Sequence, residues 1–393
     1  MTLMLDRRFA ALFWCQAFAA FNDNFLKTAL AVLILYRAHG QSALVALAGA
    51  VFIVPFLLVS GIAGEMADRF DKAVLATRIK AVEIVAAGLA VVGFLAQSVP
   101  VLFVALLAFG VLAALFGPVK YGLLPDLLET ARLPFANALV DFATFLAILL
   151  GTALGGLLGA RDPLVLAVLV MGFSVLAFGA ARLIPRPGAA RPDLVLRGNP
   201  VAASRDLLRS LRQSARLWRA ALVNTWFWFV GIVVLTLLPV MVKDVLHRGP
   251  NAVTLALTMF SLGVGVGSFG AARNMRGRIS LATARSGTIS LAFGAFLVAG
   301  IATPGHFGFV LTALFIIAAG GGQIAVASFA AVQAWSDPGA RARAVAGTNI
   351  LSAAAMVGAS LVLTVLLHLG VGVRPIFAGL GVVAFVMVAL LHR

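Results

Sequence analysis

The chain has 393 residues, of which 62% are hydrophobic and only 11% charged, with a mean hydropathy of +1.07. A soluble domain is about half apolar and about a quarter charged, so this excess has no place in an aqueous globule and the main solvent must be lipid. The formal net charge of +16 does not mark a nucleic-acid binder, because the Arg and Lys residues fall in short joints between apolar stretches.

A spanning helix needs about 20 apolar residues, and twelve such stretches are predicted: 9–36, 43–65, 73–96, 99–121, 135–159, 163–184, 217–242, 251–272, 280–302, 306–330, 342–369 and 371–391. The expected class is an all-α polytopic membrane protein. Its N-terminus has the basic start and apolar run of a signal peptide. The run continues too far and lacks a small-residue cleavage site, so a retained first helix is expected. Cys15 is the only cysteine, which excludes an intrachain disulfide and a thiolate metal cluster; it reads as a small packing residue.

An even number of spans puts both termini on one side. The termini and the joints after spans 2, 4, 6, 8 and 10 carry most of the cations, among them Arg7, Arg8, Arg69, Lys72, Arg132, Arg186, Arg209, Arg276, Arg343 and Arg393. The opposite joints carry Arg37, Arg161, Lys243, Arg248 and Arg374. The positive-inside rule therefore predicts cytoplasmic termini. The longest joint ends in the Arg-rich amphipathic stretch SRDLLRSLRQSARLWR. It divides the chain into an N-terminal six-helix half (1–184), a cytoplasmic basic linker (185–216) and a C-terminal six-helix half (217–393). This linker is either an ordinary connector or a helix that lies on anionic headgroups.

In chain order, the first anomaly is QAFAAFNDNFLKTAL in span 1. Asp23 and Lys27 are spaced i, i+4 on one helix face, flanked by Asn22 and Asn24. Charge within a span is costly and usually faces a partner or a cavity. The two charges form either a structural ion pair or a headgroup site, Lys27 meeting a lipid phosphate and Asp23 an ethanolamine ammonium. Lys80 and Glu83 in span 3 read as a local i, i+3 pair near the cytoplasmic end. In span 4, Gly117-Pro118 precedes Lys120 and Tyr121. Proline opens the backbone ladder there, and Lys120 either turns inward or serves as a positive-inside lysine. Asn137 and Asp141 share a face of span 5, and an intramembrane carboxylate is a functional candidate. TWFWF (225–229) reads mainly as interfacial aromatics. Gly265 to Gly270 matches G-x-G-x-x-G but sits inside an apolar span, so close helix packing is expected there, as at Gly151, Gly155 and Gly159.

The halves echo each other. GEMADRFDK (64–72) after span 2 recurs as GAARNMRGR (270–278) after span 8, and FANALVDFA (135–143) recurs as VAGTNILSA (345–353), at closely similar offsets.

Gly64, Asp68, Arg69 and Lys72 form G-x-x-x-D-R-x-x-K, which resembles the signature loop of the major facilitator superfamily; that family's usual second Gly is Asp71 here. AFNDNFLKTAL (20–30), GPVKYGLLPDL (117–127) and ANAL (136–139) resemble the lysophospholipid transporter branch of that family. The resemblance implies a facilitator fold of two six-helix halves, with Gly64, Asp68, Arg69 and Lys72 in gating. It implies lysophosphatidylethanolamine-type lipids moved across the bacterial inner membrane to the cytoplasmic leaflet for reacylation. The substrate-binding residues would then be Asp23, Lys27, Asn22, Asn24, Lys120, Tyr121, Asn137 and Asp141.

No H-x4-D acyltransferase motif occurs around His39, His247, His306, His368 or His392. The expectation is therefore no enzyme activity, and a separate acyltransferase or acyl-carrier-protein synthetase in the same pathway. Some family members carry an Arg in span 7, where this chain has Leu235 and Thr236. No P-loop suggests ATP, no cofactor is expected, and Na+ or H+ are the candidate coupling ions. Two alternatives remain at this stage: an ion-coupled facilitator exporting another amphiphile or drug, and a non-transporting scaffold for an acyltransferase.

Overall fold

The computed structural model describes residues 2–37, 42–159 and 161–390. The sequence features at His39, His392 and Arg393 lie outside these residues. Among the described residues all regular structure is helical: α1 (Thr2–Leu5), α2 (Arg7–Arg37), α3 (Ser42–Arg69), α4 (Lys72–Leu95), α5 (Val99–Leu127), α6 (Leu133–Leu158) and α7 (Pro163–Arg182), then α8 (Pro200–Gln213), α9 (Ala215–Val240), α10 (Pro250–Met275), α11 (Ala282–Ile301), α12 (Phe307–Trp335), α13 (Arg341–His368) and α14 (Val373–Leu390). Among the described residues ten of these helices are long and apolar enough to cross a bilayer; α4 and the shorter α14 stand at the positions of the other two expected spans.

Local chemistry sets several boundaries. Asp71, Asp162 and Asn199 cap α4, α7 and α8 by accepting first-turn backbone N–H groups. Proline in the first turn of α5, α7, α8 and α10 forgoes an N–H that no helical carbonyl would have met. Helix α4 turns Lys72, Lys80 and Glu83 inward and leaves Val85 73% exposed. Leu361 at 64% and Phe385 at 63% do the same on α13 and α14, as side chains solvated by lipid would.

The chain divides into two compact units. Unit 1 comprises Met1–Glu129, Leu146–Ser214 and Trp335–Ala353; unit 2 comprises Thr130–Phe145, Ala215–Ala334 and Ala354–Arg393. In unit 1, α4 packs on α5 and α7, α3 on α5 and α8, and α2 on α5 and α7. The glycines of α6 face α2. A Cβ at Gly151 would lie 2.5 Å from the Phe21 carbonyl, one at Gly155 2.7 Å from the Phe25 carbonyl, and one at Gly159 2.7 Å from Val32.

In unit 2, α10 presents Gly263 to the Phe315 carbonyl, where a Cβ would approach to 2.6 Å, and Gly267 to Ala319. The G-x-G-x-x-G stretch is thus helix-packing surface. The aromatic reading needs amending: Trp226 and Phe227 are only 5% exposed. Phe227 meets Phe145 edge-on with ring centroids 6.1 Å apart. The helix twist turns these two rings inward.

Gly155→Leu should lower the unfolding midpoint in detergent by about 1–3 kcal/mol of stability, because the new side chain meets backbone. Gly156 has open space around it, so Gly156→Leu should stay within about 0.5 kcal/mol of the parent. Equal midpoints for the two variants would contradict the α2–α6 contact.

Candidate functional site

The polar residues of unit 1 gather where α2, α4 and α5 face one another. Asp23 lies in the middle of α2, half-buried, within electrostatic range of Glu83, Lys80, Lys120 and Lys27. It forms no ion pair with Lys27 within 4 Å among the described residues. Lys27 instead donates to Asn24 Oδ1 at 3.0 Å and lies 5.8 Å from the Phe52 ring centroid. Asn24 in turn donates to the Ala20 carbonyl at 2.8 Å. A neutral amide therefore holds Lys27 by one of its three ammonium protons.

Asn22 points elsewhere. Its amide donates to the Val170 carbonyl at 3.0 Å and Ser174 Oγ at 2.8 Å, fastening α2 to α7. Lys120 Nζ donates to Gln16 Oε1 of α2 at 2.9 Å and lies 4.8 Å from the Tyr121 ring centroid. Of the two roles open to it, its ammonium takes the inward direction.

The Lys80–Glu83 pair is local, as the spacing predicts, but deeper than expected. Lys80 begins about 12 Å along α4, at 1.5 Å per residue, and both side chains are only 2% exposed. Glu83 Oε1 is buried without a hydrogen-bond partner, and Lys80 lies 4.4 Å from the Phe116 ring centroid. Sequence reasoning left this pair out of the site because i, i+3 spacing cannot reveal depth. Asp23, Lys27 and Lys120 complete the cluster, which thus holds charges of both signs.

The predicted gating residues lie at one end of unit 1. Asp68, fully buried, accepts from the backbone N–H of Ala342 (3.1 Å) and Arg343 (3.2 Å) and from Arg343 Nε (3.0 Å). It thus caps the first turn of α13 from another helix, where a carboxylate also meets the positive end of the helix dipole. Gly64 permits this approach, since a Cβ there would lie 2.6 Å from Ala346 Cβ. Lys72 Nζ donates to Asp126 Oδ2 at 2.8 Å, and Arg341 reaches Asp126 Oδ1 at 3.4 Å. Arg69 is half-buried and lies over the neighbouring Phe70 ring. The partners Asp126, Arg341 and Arg343 escaped sequence reasoning. Asp126 stands within GPVKYGLLPDL and the two arginines in the basic joint after span 10, but pairing across such distances leaves no local signal.

Asn137 and Asp141 lie in unit 2. Asn137 and Gln333 exchange amide hydrogen bonds of 2.7 and 3.1 Å, tying α6 to α12. Asp141 is buried. The α9 stretch around Leu235 and Thr236 adds no cation.

Ten helices long and apolar enough to cross a bilayer among the described residues, a buried Asp at the end of α3 that caps a distant helix, and a polar cluster inside lipid-solvated helices define a membrane carrier. The model of the Major Facilitator Superfamily matches residues 12–304, and the chain belongs to that family. Two relatives are each named lysophospholipid transporter LplT. The protein of Pectobacterium carotovorum subsp. carotovorum (strain PC1) is 31% identical over 283 residues, covering 69% of this chain and 66% of that one. The protein of Cronobacter sakazakii (strain ATCC BAA-894) is 31% identical over 283 residues, covering 69% and 67%. The chain thus spans about two thirds of their length. Among solved structures, the human organic anion transporter MFSD10 (TETRAN) matches with a TM-score of 0.79 at 16% identity, covering 97% of this chain and 99% of that one. FucP in the outward conformation matches at 0.74 and 12% identity, covering 98% and 97%. At these identities the structural likeness speaks to the fold.

Cys15 is the lone cysteine and is buried, so an introduced cysteine can be labelled against a quiet background. Thr348 of α13 is 1% exposed. In a Thr348→Cys background, Asp68→Asn should raise maleimide labelling at least tenfold. Weakening the cap and the charge-assisted bond to Arg343 removes more than about 1.4 kcal/mol, the equivalent of a factor of ten. Unchanged labelling would rule out a latch at Asp68.

Proposed function

We propose that this protein carries lysophospholipids across the bacterial inner membrane, delivering phosphatidylethanolamine-type lysolipids to the cytoplasmic leaflet by alternating access. The observation that carries this reading is the gathering of both signs of charge in the unit 1 cluster. Asp23 offers a carboxylate for a primary ammonium and Lys27 offers ammonium protons for a phosphate, with the Lys120 ammonium turned toward α2 beside them. A zwitterionic headgroup presents both groups a few bonds apart. The names of the relatives at 31% identity support the same substrate class.

The acyl chain comes from lipid and remains among apolar groups, so its transfer contributes little. Selectivity therefore falls to the headgroup contacts. Asn24 holds Lys27 in place and Tyr121 flanks Lys120. Asn22 supports the site by joining α2 to α7 behind it. Asn137 and Asp141 are proposed as substrate-binding residues on the sequence resemblance alone. Reacylation falls to a separate acyltransferase, and Na+ or H+ are the proposed coupling ions, with Asp23 as their carboxylate. Gly64, Asp68, Arg69 and Lys72 act on the gate, with the basic joints and both termini on the cytoplasmic side.

In proteoliposomes carrying the purified protein, labelled lysophosphatidylethanolamine should be taken up. Asp23→Ala should reduce uptake at least a hundredfold, about 2.7 kcal/mol at 1.36 kcal/mol per decade, with the protein still folded and inserted. Lysolipids lacking the amine should be less sensitive to this substitution. Full uptake of lysophosphatidylethanolamine by Asp23→Ala would remove the headgroup assignment. Transport of unrelated amphiphiles without any lysolipid uptake would replace the substrate class.

A further inference from the structure

The segment between α7 and α9 is built onto the gate. Three of its backbone N–H groups donate to the signature loop: Gly188 to Asp71 Oδ2 at 2.7 Å, Arg191 to the Asp68 carbonyl at 2.7 Å, and Arg197 to Glu65 Oε2 at 2.9 Å. Beyond them, α8 buries a stripe of Ala203, Leu207 and Leu211. A Cβ at Gly61 of α3 would lie 2.7 Å from Ser204 Oγ, and one at Gly347 of α13 would lie 2.5 Å from Leu211 Cδ1. The segment therefore spans the two helices that Asp68 joins.

These contacts also fix its depth. Gly61 is eight residues before the end of α3 and Gly347 six residues after the start of α13, about 12 and 9 Å along those helices at 1.5 Å per residue. Helix α8 thus lies against the flanks of α3 and α13, not beyond their tips. Opposite its apolar stripe stand Arg205 and Arg209, whose side chains are 62% and 66% exposed. Arg197, Arg205 and Arg209 all gather around the single carboxylate of Asp206, leaving two uncompensated positive charges. A cleft of about 410 Å³, lined by Glu65, Leu194, Arg197, Asp206 and Arg343 among others, separates the linker from the gate. These hydrogen bonds and the apolar stripe place the linker on α3, α13 and the signature loop, while its basic face is left to the outside.

We infer that α8 is a docking surface for anionic phospholipid headgroups of the surrounding leaflet, and that their binding holds the linker on the gate. The apolar stripe is occupied by α3 and α13, so lipid engages only the charged face and favours the docked linker. Each basic side chain near an anionic surface contributes enough to change binding several-fold. The occupant follows from charge and position: beside helices that cross the bilayer, the abundant anionic partner of an exposed guanidinium pair is lipid phosphate.

The test is hydrogen exchange of residues 186–213 in the full-length protein, reconstituted in nanodiscs of phosphatidylcholine alone or with 30% phosphatidylglycerol. In the parent, phosphatidylglycerol should slow exchange of the linker amides about tenfold. Arg205→Gln/Arg209→Gln should exchange like the parent in phosphatidylcholine, which shows an intact fold, and lose most of the slowing by phosphatidylglycerol. Arg205→Lys/Arg209→Lys should keep it, because the requirement is charge. No effect of phosphatidylglycerol on the parent would overturn the inference, as would an undiminished effect on the Gln variant.

Discussion

Lipid as solvent is the constraint from which the rest of this structure follows. Between helices in hydrocarbon there is no hydrophobic driving force, so association rests on close packing and on the few polar contacts that hydrocarbon strengthens. Both devices are visible. Glycines at 151, 155 and 159 bring α6 against the α2 backbone, and those at 263 and 267 bring α10 against α12. Between them stand single amide or hydroxyl ties: Asn22 to Ser174, Asn137 to Gln333, and Asn224 to Ser328 at 3.1 Å. Each is buried, and each joins helices far apart in sequence.

The same constraint explains why polar groups concentrate rather than scatter. A charge in hydrocarbon must be matched, and matching draws further polar residues to the same place. Asp23, Lys27, Lys80, Glu83 and Lys120 form such a gathering, and Gln16 and Asn24 orient two of the cations. The Lys80–Glu83 pair supplies no surplus charge. It does place a dipole, with one unpartnered carboxylate oxygen, within electrostatic range of Asp23. Removing one member would strand the other in a low dielectric, a loss much larger than the net value of the pair. The pair therefore defines the electrostatic background against which Asp23 acts.

How much of this was legible in sequence depended on range. Span positions, the packing glycines and the signature loop were readable, because hydrophobic length, small-residue spacing and local motif are properties of a short window. Rotations and partners were not. The i, i+4 spacing of Asp23 and Lys27 allowed an ion pair, yet Lys27 found Asn24 first, one residue closer and neutral. Asn22 and Asn24 looked equivalent on either side of Asp23, but 100° per residue sends them to different neighbours. TWFWF looked like an interfacial belt because its inward-facing members depend on helix rotation. Asp126, Arg341 and Arg343 stay invisible until the chain is folded, since more than two hundred residues separate each arginine from its acid.

Asp71, the one departure from the usual signature loop, is where local and long-range chemistry meet. A glycine there would give the turn backbone freedom and nothing more. The aspartate caps α4 through Ala73 and Val74 with one oxygen and holds Gly188 of the linker with the other. Glu65, Asp68 and Asp71, spaced three apart, thus each accept from a different place: the end of the linker, the start of α13, and the linker's beginning. The sequence echo after α10 has none of this. Asn274 stands where Asp68 does, exposed and neutral, and the chain there turns through Arg276 and Gly277 at φ +46° and +76°. Two residues separate α3 from α4 but six separate α10 from α11, and the left-handed residues occur only at the second loop and the carboxylates only at the first. A cap that depends on a buried anion at a helix N-terminus can therefore form at the first loop and not at its echo, so the two joints share a sequence pattern but neither a backbone course nor a chemistry.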